Sequence, residues 1–110
     1  PAQEEAVLKQ EAAAIQSRLT PKDYLITLDR RGKEMTSLQL AEFINQRSFF
    51  GDPLVFVIGG SLGLDEELLK SAKLNLSFSK LTFPHQMFRI MLLEQIYRAV
   101  KINKGEPYHK

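Results

Sequence analysis

The chain contains no cysteine and no tryptophan among its 110 residues. Without thiols there can be no disulfide and no thiolate metal site, and nothing in the composition favours an oxidising compartment. Histidine is scarce: only His85 and His109 occur, and neither has the spacing of a metal-ligand pair. No apolar run approaches the roughly 18 residues that a membrane-spanning helix needs. There is no internal repeat, low-complexity tract or linker. The first residues, Pro1-Ala2-Gln3-Glu4-Glu5, lack the basic-then-apolar order of an export signal, so the expected location is the cytoplasm. Charge of one sign is also in short supply. A net charge of +2 suits an RNA partner but is too small to demand one. No Ser/His/Asp arrangement and no carboxylate pair can be read from the spacing, which weakens hydrolase readings.

What is present is the composition of an ordinary folded domain, 44% hydrophobic and 25% charged. The length predicts one domain, 1–110. Residues 3–19 place Leu8, Ala12, Ile15 and Leu19 on one face and read as an amphipathic helix. Thr20-Pro21-Lys22-Asp23 reads as a turn, because proline pushes its predecessor out of the helix. Tyr24 to Leu28 is apolar and β-prone, a buried strand, and Arg30-Arg31-Gly32-Lys33 follows as a loop. Thr36 with Gln39 is a capping-box signature opening a helix through Leu40, Ala41, Phe43 and Ile44, broken at Gly51-Asp52-Pro53. Leu54-Val55-Phe56-Val57-Ile58 is apolar without alternation, the pattern of a parallel strand covered on both faces. A glycine loop, Gly59-Gly60-Ser61-Leu62-Gly63, leads to a short helix capped by Asp65 and carrying Leu68 and Leu69. Leu74, Leu76 and Phe78 alternate with polar residues as a third strand. Pro84 opens a final helix reaching about Asn103, with Lys101 and Lys104 in its last turn and Gly105 and Pro107 beyond it. The alternation predicts an α/β fold with a parallel sheet flanked by helices.

The final helix is apolar over most of its circumference. Phe88, Met91, Leu92, Ile96, Ala99 and Val100 form one face, while Ile90, Leu93 and Tyr97 lie nearly opposite. Only Glu94, Arg98 and Lys101 make a polar strip. One small sheet cannot cover both sides of such a helix, so a homodimer interface is expected.

Two segments carry candidate chemistry. The glycine loop follows a buried strand, at the strand edge where open α/β sheets bind ligands. It meets neither the dinucleotide spacing nor the ending of a phosphate loop, and a plain tight turn is the commoner meaning of such a run. The second segment is Leu76-Ser77-Phe78-Ser79-Lys80-Leu81-Thr82-Phe83-Pro84-His85-Gln86. It offers backbone groups to a small molecule between the walls of Leu81 and Phe83, or simply joins a strand to a helix. His85 reads as a capping or packing residue. Arg89 projects into the apolar sector near Leu92 and Ile96, where a buried guanidinium needs an acceptor. Arg98, Lys101, Lys104, Tyr108, His109 and Lys110 set cations beside an aromatic, which suits RNA or a solvated tail.

In this order, Phe56-Val57-Ile58-Gly59-Gly60-Ser61-Leu62-Gly63-Leu64, the segment Leu76 to Gln86, Glu94-Gln95-Ile96-Tyr97-Arg98-Ala99 and the ending Gly105-Glu106-Pro107-Tyr108-His109-Lys110 closely resemble the large-subunit ribosomal RNA methyltransferases of the SPOUT superfamily. Tyr24 to Leu28 with Asp29-Arg30-Arg31-Gly32-Lys33 fits as well, so the resemblance spans nearly the whole chain. It implies S-adenosylmethionine as methyl donor, N3 of a pseudouridine in 23S ribosomal RNA as acceptor, and assembled ribosomes as substrate. It further implies a cytoplasmic homodimer and a C-terminal trefoil knot, a feature no residue pattern reveals. Matched by motif, Leu28, Gly59, Phe78, Ser79, Lys80, Leu81, Thr82 and Phe83 surround the cofactor. Tyr108 and His109 are the expected catalytic groups, because an otherwise disposable end carries an aromatic, a titratable ring and cations; they are expected to reach the partner subunit's cofactor, with Arg89 or Lys80 stabilising developing charge. On their charge, Arg30, Arg31 and Lys33 and the basic tail (Arg98, Lys101, Lys104 and Lys110) are the expected RNA contacts. The family's chains carry a further strand and helix ahead of the segment matched here, so a short N-terminus with an uncovered sheet edge is also expected. A transfer-RNA methyltransferase of the same superfamily and a non-enzymatic α/β binding module are the alternatives.

Overall fold

A computed structural model describes residues 2–60 and 62–110. Pro1 of the N-terminal stretch and Ser61 of the glycine loop lie outside the described residues. The elements follow the expected alternation: α1 (Ala2–Gln16), β1 (Tyr24–Glu34), α2 (Ser37–Ser48), β2 (Leu54–Ile58), α3 (Glu66–Ser71), β3 (Leu74–Ser77) and α4 (His85–Asn103). The three strands form one parallel sheet in the order β2-β1-β3.

Local chemistry sets most boundaries. After α1, the Thr20 N–H donates to Asp23 Oδ2 at 2.8 Å and the Asp23 N–H to the Thr20 carbonyl at 3.0 Å, closing the turn around Pro21. Thr36 caps α2 with both halves of the capping box: Gln39 N–H donates to Thr36 Oγ1 at 3.0 Å, and Thr36 N–H to Gln39 Oε1 at 2.9 Å. Asp65 accepts from the Glu67 N–H at 3.0 Å to start α3. α4 begins one residue later than proline-in-the-first-turn would have it, with Pro84 as N-cap and no side-chain cap.

The sheet is covered on both faces, and the two-residue period of the strands decides which side chain meets which helix. Ile26, Leu28 and Leu76 point to one side and pack with Leu40 of α2, joined by Tyr24, Phe43, Leu54, Phe56, Ile58 and Phe88. Leu25 points to the other side with Ala12 and Leu68, joined by Ile15, Leu19, Val55 and Val57. Ile26 and Leu68 are wholly buried; burial of such a side chain contributes about 1.5–3 kcal/mol each.

One expectation about the sheet needs correction. The segment Arg30-Arg31-Gly32-Lys33 is not a loop but the far part of β1, which is 11 residues long. It bulges: Leu28 and Lys33 both register opposite Leu76. Gly32 permits this, because a Cβ there would come within 2.6 Å of the Leu76 carbonyl carbon. β2 lies at the sheet edge and is half-buried along its length, yet it is covered on both faces as expected, Leu54, Phe56 and Ile58 packing on one side and Val55 and Val57 on the other. The strand buried from Leu25 to Asp29 is β1, at the centre. Phe78 falls just beyond β3 but continues its apolar face.

Candidate active site

The middle of β1, where it bulges, and the C-terminal end of β2 open onto a cavity of about 680 Å³. Its floor is Leu28 and Ile58; one wall is the glycine loop (Gly59, Gly60, Leu62, Gly63), and the other is Phe78, Ser79, Leu81, Thr82 and Phe83 with Pro84, His85 and Phe88 at the start of α4. Phe83 stands edge-on to Phe88 with ring centroids 5.6 Å apart. Residues 78–84 belong to no helix or strand, so their amides and carbonyls are not taken up by a ladder. Ser79 Oγ accepts from the Leu81 N–H at 2.9 Å and shapes the loop from within. On the glycine side, Gly59 N–H donates to the Leu28 carbonyl at 3.0 Å, and Gly63 N–H closes the turn on Gly60 at 2.9 Å. Gly63 has φ +80°, a conformation that other residues adopt only with strain.

Seven of the eight residues assigned by motif to the cofactor therefore surround one cavity: Leu28, Gly59, Phe78, Ser79, Leu81, Thr82 and Phe83. Lys80 does not; its side chain is exposed and outside the lining. Arg89 needs a larger correction. It is exposed on α4 rather than buried in the apolar sector, because the helix turns its sector around Ile90 and Leu93 outward, so it needs no internal acceptor. His85 neither caps α4 nor packs in the core, and instead lies exposed at the cavity rim.

Asp29 and Arg31 had no place in the cofactor assignment, yet both line the cavity. Asp29 Oδ1 accepts from the Arg31 backbone N–H and Nε, each at 2.9 Å. Burial pushes the Asp29 carboxyl upward, but hydrogen bonds from the Arg31 side chain and backbone, with its charge, outweigh this and hold it below the ordinary value near 3.8. The only signal available in the sequence was the Asp-x-Arg spacing itself, which is common in loops.

The tail beyond α4 folds back along that helix as far as its middle. Tyr108 O–H donates to Glu94 Oε2 at 2.8 Å, its ring meets Tyr97 edge-on at 5.1 Å, and the Arg98 guanidinium sits over it at 4.9 Å. Arg98 Nη1 lies 3.0 Å from His109 Nδ1; since guanidinium only donates, Nδ1 accepts and the ring proton is assigned to Nε2. Arg98 and then Tyr108 hold the Glu94 carboxyl below its usual value, and Glu94 in turn raises the Tyr108 phenol. Of the expected RNA contacts, Arg98 pairs with Glu94, Lys101 with Glu106 and Arg31 with Asp29, whereas Arg30, Lys33, Lys104 and Lys110 are exposed. Among the described residues no group of His, Asp or Glu has the arrangement of a metal site, and no helix is long and apolar enough to cross a membrane.

An α/β sheet with a glycine loop and a cavity beside it is the arrangement in which open parallel sheets commonly take small ligands. Comparison with known proteins makes this specific: a family profile described as "Predicted SPOUT methyltransferase" matches residues 1–109, and the chain belongs to that family. A protein of Carboxydothermus hydrogenoformans named ribosomal RNA large subunit methyltransferase H is 50% identical over 111 residues, covering 100% of this chain and 70% of the relative. The protein of the same name in Clostridium botulinum strain Eklund 17B is 60% identical over 88 residues, 79% of this chain and 55% of its own length. That of Clostridium beijerinckii is 46% identical over 109 residues, 98% of this chain and 69% of its own length. This chain thus spans between about half and about two thirds of the relatives it matches.

Proposed function

We propose that this chain is an S-adenosylmethionine-dependent methyltransferase acting on N3 of a pseudouridine in large-subunit ribosomal RNA, on the assembled ribosome and as a homodimer. The observation that carries this reading is the gathering of Leu28, Gly59, Phe78, Ser79, Leu81, Thr82 and Phe83 around one cavity. The names of the relatives support ribosomal RNA as the substrate class. The cytoplasmic location and the C-terminal trefoil knot belong to the same reading and rest on family resemblance.

The cavity fits the donor. Its volume, about 680 Å³, lies in the range of small-molecule sites. Leu28, Ile58, Phe78 and Phe83 give apolar walls for a purine, and the irregular backbone of 78–83 supplies hydrogen-bonding groups at its edge. Held by these residues, S-adenosylmethionine would supply an electrophilic methyl group for N3, with the sulfur as leaving group. The chain's contribution is alignment, and acceptance of the N3 proton at or before transfer. Tyr108 and His109 are the tail groups assigned to that proton. The tail folds back on Glu94, Tyr97 and Arg98, which stand about 14 to 20 Å along α4 from His85, and neither Tyr108 nor His109 lines the chain's own cavity. The pair therefore acts on the partner subunit's cavity. Its bonds to Glu94 and Arg98 give the resting arrangement, and release of His109 Nδ1 from Arg98 would free a base. Arg30, Lys33, Lys104 and Lys110 supply the RNA contacts, with Arg31, Arg98 and Lys101 adding charge from within their pairs. Arg89 and Lys80, exposed near the cavity but off its lining, are assigned to the RNA backbone rather than the reacting atoms.

The test is transfer of radiolabelled methyl from S-adenosylmethionine to unmethylated ribosomes, with cofactor binding measured by calorimetry. Methyl incorporation into large-subunit RNA is expected. Gly59→Val, which crowds Gly63 and Leu64 at 3.3 Å, should abolish binding and transfer together. The double variant Tyr108→Ala/His109→Ala should bind cofactor normally yet lose about 10²–10⁴-fold in transfer rate. Absence of any cofactor binding by the unmodified chain would return the non-enzymatic binding module, and incorporation into transfer RNA instead would overturn the substrate.

A further inference from the structure

We propose that Arg31 is a positioning residue for the cofactor cavity: paired with Asp29, it latches the closing end of the glycine loop to β1. The proposal rests on the reading of the cavity as the S-adenosylmethionine site. Its basis is a set of contacts made by one guanidinium. Nε donates to Asp29 Oδ1 at 2.9 Å, Nη2 donates to the Leu64 carbonyl at 2.9 Å and reaches Asp29 Oδ2 at 3.3 Å, and Nη1 reaches Glu66 at 3.3 Å. Leu64 directly follows Gly63, whose Cα faces the same carboxylate: a Cβ there would lie 3.2 Å from Asp29 Oδ2. The latch thus ties the bulge of β1 to the last residues of the loop that walls the cavity.

The burial pattern separates the parts that matter. The Asp29 side chain is 3% exposed against 48% for Arg31, so the carboxylate end of their bridge is sheltered from water, whereas Glu66 is 75% exposed and its bridge contributes little. The geometry also selects arginine. Nε and Nη2 form a planar fork that serves the carboxylate and the Leu64 carbonyl together, which one ammonium nitrogen cannot do. The physical effect is pre-organisation. A loop that is closed before the ligand arrives binds with its intrinsic affinity, while a loop closed only a fraction of the time has its affinity reduced by that fraction.

The experiment compares the unmodified chain with Arg31→Lys, Arg31→Ala and Glu66→Gln. Titration calorimetry measures S-adenosylmethionine affinity, and amide hydrogen exchange is followed at Gly63 and Leu64 and, in the core, at Ile26 and Thr27. Arg31→Lys and Arg31→Ala should weaken cofactor binding about tenfold and speed exchange at Gly63 and Leu64 while the core amides keep their rates. Glu66→Gln should stay within twofold on both measures. Unchanged affinity in the Arg31 variants would overturn the proposal. So would weakened affinity with core and loop amides accelerated by the same factor, since that is global destabilisation. If the unmodified chain itself binds no S-adenosylmethionine, the cavity reading falls and the latch with it. That result is distinct from a variant that differs in no way from a binding parent.

Discussion

Asp29 keeps its charge although its side chain is almost fully buried, because Arg31 supplies both backbone and guanidinium donors to it. Its carboxyl is held below the ordinary value near 3.8 in the folded chain. A carboxylate depressed in this way adds stability that is present above its unfolded pKa and is lost as pH falls through the folded one. Asp29→Asn should therefore lower the urea midpoint most at neutral pH. The gap to the unmodified chain should narrow as pH falls below about 4; a gap constant with pH would show that the charge itself contributes nothing. Gly32 is the other residue whose identity the geometry demands. Any side chain there meets β3 backbone at 2.6–2.8 Å, with no flexible neighbour to give way.

Among the elements, α2 owes its start to local chemistry and α4 does not. The capping box of Thr36 and Gln39 satisfies donors at both the cap and the third helical position. Thr36→Ala should cost about 1 kcal/mol and lower the melting temperature by about 5 °C, as read by circular dichroism. α4 begins at Pro84 with no side-chain cap, so packing holds it in place. Ser37 Oγ donates to Gln95 Oε1 at 2.7 Å and Asn103 Nδ2 to the Ala41 carbonyl at 3.0 Å, fastening it to α2 at two points. The first turn of α4 lines the cavity, and the tail packs back on Glu94, Tyr97 and Arg98 further along the helix.

For the molecule as a whole, the feature that calls for a partner is the outer face of α4. Ile90 is 67% exposed, Leu93 65% and Tyr97 50%, on a helix whose other face holds buried Leu92 and Ala99. Contiguous exposed apolar side chains of this kind mark an interface. Leu93→Arg should convert a dimer to a monomer in sedimentation equilibrium while leaving cofactor affinity intact, because Leu93 does not line the cavity. It should also stop methyl transfer, since the tail then has no partner cavity to enter. A monomeric variant with full transfer would sink the shared-site arrangement.

The residues by themselves determined the order of elements, the parallel α/β class, the capping of α2 and α3 and the apolar outer face of α4, because these depend on local propensity, period and capping chemistry. The likeness of Gly59 and of Phe78 to Phe83 to a known cofactor site was equally legible, since short motifs carry it. What tertiary structure alone decided is which side chains share a space. Arg30 to Lys33 reads as a polar loop until the backbone of β3 is found against Gly32, which makes it a bulged strand. Arg31 reads as a surface cation until Asp29 and the Leu64 carbonyl are found within its reach, 33 residues apart in sequence in the latter case. Arg89 reads as buried until α4 docks and turns it to solvent. Periodicity places residues on a face, and only the packing of distant segments says what that face meets.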